Sequence, residues 1–93
     1  MGQEELEKYR QKFGEFTQKY NLTRKRKNTL LPDNRWHTEL ILTGLTYIGT
    51  GIGTTQKQAQ ANALVNWCHY MEKNQQVVQK EIEDYTMKSQ VNE

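Results

Sequence analysis

Long apolar runs are missing from this chain. None exceeds three residues, as in Leu40-Ile41-Leu42, far short of the roughly 20 a membrane-spanning helix needs, so no membrane partner is expected. Cysteine is nearly absent: a lone Cys68 excludes an internal disulfide framework and fits a reducing compartment. No further Cys or His stands at ligand spacing to make a metal site with His37, Cys68 and His69. No charged-then-apolar leader opens the chain, and the expected location is intracellular, nuclear or cytoplasmic. Repeats and low-complexity tracts are absent as well. No Ser–His–Asp set or acid pair has a structural reason to converge. The chain is therefore expected not to be an enzyme on its own, with no cofactor and no small-molecule substrate.

Apolar residues are scarce, at 34% of the 93 positions, but they cluster between Trp36 and Met71. That clustering predicts a folded centre with polar ends. A chain this short is one small domain that buries only about 60–65% of its unfolded surface, so its core is thin. The net charge of +2 is unevenly spread. Residues 1–21 balance. Residues 22–60 carry Arg24, Lys25, Arg26, Lys27, Arg35 and Lys57 against Asp33 and Glu39, which is +4. Residues 61–93 carry Lys73, Lys80 and Lys88 against five acids, which is −2. A polyanion would dock on the positive middle.

Periodicity places the elements. Leu6, Tyr9, Phe13, Phe16 and Tyr20 form one stripe of a helix from about Glu4 to Tyr20, with Asn21 as a stop signal. Gly14 costs that helix up to about 1 kcal/mol relative to Ala, which suggests a packing reason for it. Residues 22–31 give a weak strand signal, and Pro32-Asp33-Asn34 is turn chemistry. From Trp36 the period becomes two, with Trp36, Thr38, Leu40 and Leu42 facing one way. Leu45 to Gly51 reads as the returning strand, and Gly49, Gly51 and Gly53 alternate through a short loop. Thr55 is an N-cap, with Gln58 completing a capping box. Ala59, Ala63, Trp67 and Met71 then recur at every fourth residue of a second helix. Val78, Ile82 and Tyr85 suggest a further amphipathic turn or two. The expected class is α+β: an α-β-β-β-α order, with a three-stranded antiparallel sheet, two helices on one face and a C-terminal helical extension.

The run from Gly44 through Gly49-Thr50-Gly51-Ile52-Gly53 to Thr55-Gln56-Lys57-Gln58-Ala59 resembles the core of the double-stranded RNA-binding domain, particularly the N-terminal domains of RNA helicase A-type proteins. Trp36 with Leu40 and Leu42 is similar to that family's aromatic-led central strand, and Phe13 to Lys19 to its first helix. The resemblance covers roughly Tyr9 to Met71. It implies a domain at 4–72 followed by a C-terminal extension at 73–93 that is partly helical or disordered. It also implies recognition of RNA shape across about 16 base pairs, because the deep, narrow major groove of A-form RNA is closed to side chains. The first helix and the first inter-strand loop would enter two minor grooves. The last helix would present its N-terminus to the phosphates between them.

Carried over residue by residue, the resemblance assigns Glu15 to the ribose hydroxyls, with Gln11 and Gln18 on nearby turns. The family's Gly-Pro-x-His loop is represented by Pro32, Asp33 and Asn34, followed by Arg35, without a His. At the helix start stand Thr55, Gln56, Lys57 and Gln60, where the family has three lysines and this chain keeps only Lys57. Gln bonds a phosphate oxygen but releases no counterion, so binding weaker than the family norm is expected.

Plainer readings stand beside these. Glu15 also reads as an ordinary exposed helix residue, and the glycines as servants of backbone geometry. Arg24 to Lys27 read as a solvated edge, as added phosphate contacts or as a nuclear-import signal. Trp36, Trp67 and Cys68 read as core. The leading expectation is shape-selective, largely sequence-independent double-stranded RNA binding by one module of a larger RNA-processing or helicase-like protein. The alternative is a protein-interaction module that keeps the fold with reduced RNA affinity, using the sheet face or the C-terminal segment.

Overall fold

The computed structural model describes residues 2–91, with side chains through Met87. Its elements are α1 (Gln3–Lys19), β1 (Arg24–Leu30), β2 (Trp36–Leu42), β3 (Ile48–Gly53), α2 (Gln56–Lys73) and α3 (Gln75–Val91). The class is α+β, with one antiparallel sheet in the order β1-β2-β3. Among the described residues no helix is long and apolar enough to cross a membrane.

Helix α1 buries Phe13 and Thr17 and half-buries Tyr9, Phe16 and Tyr20, as the stripe predicts. It ends in a Schellman motif. Asn21 takes the left-handed conformation at φ 54°, the Leu22 N–H donates to Thr17 O at 2.9 Å, and the Asn21 N–H to Gln18 O at 3.2 Å. Leu22 enters the core immediately afterwards. Gly14 has no packing reason: a Cβ added there meets nothing within 4 Å.

The β1–β2 hairpin turns on Pro32, Asp33 and Asn34. The Asn34 N–H donates to Leu31 O at 3.0 Å, the Leu31 N–H to Arg35 O at 2.7 Å, and Asn34 sits at φ 66°. A three-residue loop of this kind needs a left-handed final residue, which Asn tolerates. In β2 the alternation is as expected: Thr38, Leu40 and Leu42 are buried, while Trp36 at the sheet's end is half-buried.

The third strand departs from expectation. It begins at Ile48 rather than Leu45, and it contains all three glycines that read as a loop. Residues 45–47 leave the ladder because Leu45 is buried and Tyr47 stacks on Tyr70, ring centroids 3.8 Å apart. The glycines form the inner face of β3, which lies directly against α2. Added Cβ atoms at Gly49 and Gly51 would collide with Trp67 and with the main chain at Ala59 and Ala63. One at Gly53 would lie 2.8 Å from Ala59 N. Small residues on both sides let helix and strand touch backbone to backbone.

Trp67, fully buried, anchors this contact. Its indole N–H donates to Leu40 O at 2.7 Å, and its ring meets Phe13 and Tyr47. Helix α2 covers β2 and β3, while α1 leans on α2. Beyond α2, helix α3 buries Val78 and Ile82 in the same core cluster. The Glu81 carboxylate accepts from both the N–H and the hydroxyl of Thr46, each at 2.9 Å. Gly44, at φ 93°, passes under the Tyr85 ring, leaving no room for a side chain.

Candidate nucleic-acid interface

The start of α2 is built around Thr55, whose hydroxyl accepts the Gln58 N–H at 3.1 Å. The capping box is not closed in its reciprocal form. Gln58 reaches one residue further back and accepts from the N–H and hydroxyl of Thr54, both at 2.9 Å. The cap leaves Gln56 and Lys57 exposed on the first turn. Because Trp36 pairs with Gly53, the hairpin tip and the start of α2 share one end of the sheet.

A groove of about 500 Å³ runs between α1, β1 and the first turns of α2, from Lys57 away from the hairpin tip towards Arg24 at the start of β1. Arg10, Arg24, Arg26 and Lys57 line it, with Phe13 and Leu40 among its apolar residues and no carboxylate in the lining. Arg24 lies over the Phe13 ring, 5.7 Å from its centroid. Arg26 donates to the Gln60 side-chain oxygen at 3.0 Å, while the Gln60 amide nitrogen donates to Asn28 at 3.3 Å. Thr38, fully buried, donates to the same Asn28 oxygen at 2.7 Å. Arg10 also pairs with Glu7 at 3.0 Å on the helix surface. Arg24, Arg26 and Lys57 make no salt bridge among the described residues.

The structure brings together only part of the expected set. Lys57 and Gln60 line the groove, and Thr55 and Gln56 adjoin it in sequence. Pro32, Asp33, Asn34 and Arg35 lie exposed at the hairpin tip, with Arg35 tied back to Asp33 at 2.6 Å. That bond draws the Asp33 carboxyl below the ordinary carboxylate range. Gln11, Glu15 and Gln18 occupy the exposed face of α1, and Gln11 donates to Glu15 at 3.3 Å. Gln11 and Glu15 neighbour Lys12 and Glu72 rather than the groove. The Lys12–Glu72 bond, 2.6 Å, lowers the Glu72 pKa and raises that of Lys12.

Arg10, Arg24 and Arg26 are the lining cations that the helix-start pattern does not indicate. Alternate positions within the basic run are the only sequence signal for the last two. Cys68 is buried, with its thiol pushed up to about 11 by burial, and it faces Tyr9 O at 3.5 Å. Among the described residues no cluster of three or more His, Cys, Asp or Glu side chains is placed to hold a metal ion. No protein-family model and no curated protein matches this chain.

Proposed function

We propose that the chain is a double-stranded RNA-binding module, selective for duplex shape rather than base sequence, and part of a larger RNA-processing or helicase-like protein. One observation carries the reading: four cations from three elements line a carboxylate-free groove at the start of α2. Three of them, Arg24, Arg26 and Lys57, have no salt-bridge partner among the described residues, so they repel one another, and a polyanion offsets that cost. The α-β-β-β-α order, with the hairpin tip and the helix start at one sheet end, supports the same reading. The tip would enter one minor groove, the exposed face of α1 another, and Lys57 would lie over the intervening phosphates.

A second reading, protein interaction, is favoured by the outer sheet face, where Ile48 and Ile52 are 43% and 44% exposed. Titration with an RNA duplex and a DNA duplex of the same sequence, followed by amide NMR shifts, separates the two. Preference for RNA, with shifts at residues 55–60, is expected. Equal affinity for both duplexes would reduce the interaction to generic charge attraction and overturn shape selectivity.

A further inference from the structure

The start of α2 retains a single cation, yet the groove beside it holds four. The added charge comes from α1 and from an unexpected side of β1. Arg24 pairs with Leu42 and Arg26 with Leu40, so both arginines share the sheet face of the buried leucines. Apolar side chains ordinarily occupy that face. Arginine there forgoes hydrophobic burial, and no carboxylate salt bridge compensates it among the described residues.

We propose that Arg24 and Arg26 are phosphate contacts along the groove and that Gln60 is the positioning residue for Arg26. This inference rests on the RNA-binding reading. The hydrogen bonds Thr38–Asn28–Gln60–Arg26 start at a fully buried hydroxyl and end on the guanidinium. Because the Gln60 amide nitrogen is engaged by Asn28, its oxygen is presented to Arg26. A neutral acceptor orients the guanidinium without neutralising it, and most of its five donors stay available. Arg24 is held differently, over the Phe13 ring, which also leaves its charge uncompensated. Two residues apart on one strand, the pair is spaced by about 6.6 Å. That spacing is comparable with successive phosphates on one RNA strand. Gln60, itself uncharged, thereby brings a cation from β1 to the start of α2.

The test is RNA-duplex affinity of the full chain at several salt concentrations, with thermal melts alongside. The variants are Arg24→Gln, Arg26→Gln, Gln60→Glu and Gln60→Lys, with Lys57→Ala as the reference. Each arginine change is expected to weaken binding roughly three- to five-fold, the scale of one exposed ion pair. Each should also remove about 0.9 from the slope of log affinity against log salt, the scale for one duplex-DNA phosphate contact. Gln60→Glu sets a carboxylate against Arg26 and neutralises it, so it should match Arg26→Gln in binding, while the melts report the cost of losing the amide donor to Asn28. Gln60→Lys should gain no affinity, because its ammonium displaces Arg26. If Lys57→Ala weakens binding while the arginine and Gln60→Glu variants match wild type in affinity and slope, the inference fails and the RNA reading stands. If wild type binds no duplex, both fail.

Discussion

Gly51 in β3 faces Ala63 in α2 so closely that a Cβ on the glycine would collide with the alanine's main-chain nitrogen and with the carbonyl oxygen of Ala59. Those atoms belong to a helix backbone and cannot swing aside. Gly51→Ala should therefore destabilise the fold by about 3 kcal/mol, at the upper end of ordinary overpacking costs. Urea unfolding would measure it. An unchanged midpoint would mean that helix and strand have room to separate.

Gly14 predicts the opposite sign. Its Cβ position is open and it lies inside α1. Gly14→Ala should raise stability by up to about 1 kcal/mol, because Ala restricts the unfolded chain and favours helix. An increase in the urea midpoint checks this.

Helix α3 is an integral part of the core. Removing residues after Asn74 takes away Val78 and Ile82 and uncovers the cluster that they join. The loss is about 3–6 kcal/mol for two buried aliphatic side chains, a large share of a small domain's stability of about 5–15 kcal/mol. Chain ending at Asn74 should melt far earlier or fail to fold, as read by circular dichroism. The Ile82→Ala substitution alone should cost about 2–5 kcal/mol.

Cys68 should resist alkylation in the folded protein and react once unfolded, since the thiol is 1% exposed and its pKa is raised to about 11. The folded state favours the protonated thiol relative to an ordinary value of 9.0. That contribution is fully present below pH 9 and is lost as pH rises from 9 towards 11, because the unfolded chain sheds its proton first. Melting temperatures followed across that window should fall more steeply for wild type than for Cys68→Ala.

Local signals were legible where local chemistry decides the structure. The two-residue alternation from Trp36 to Leu42, the Thr55 cap and the Asn21 stop each depend on neighbours a few positions away. Pairing between distant segments was not legible. Nothing near Arg24 and Arg26 reveals that they lie opposite Leu42 and Leu40, which is why a basic run conceals part of a groove wall. The glycines of β3 read as a loop because glycine is a poor strand former, and only the approach of Ala59 and Ala63 explains them. The docking of α3 joins Val78 and Ile82 to the core and Glu81 to Thr46, 35 positions away, and a weak Val78–Ile82–Tyr85 period carries no trace of those partners.

Asn62 and Asn66 on α2 donate their side-chain amides to the Ile52 and Thr50 carbonyls, at 2.8 Å and 2.5 Å, along the outer border of β3. Those carbonyls would otherwise be docking points for an extended segment of another molecule, and they are already occupied from within. At the opposite border, β1 carries four consecutive basic residues, so two copies brought together there meet like charge. Lateral growth of the sheet into ribbons or fibrils is thus opposed at one border by saturated acceptors and at the other by repulsion. Asn62→Ala combined with Asn66→Ala would open the first border to self-association while leaving the cationic groove untouched.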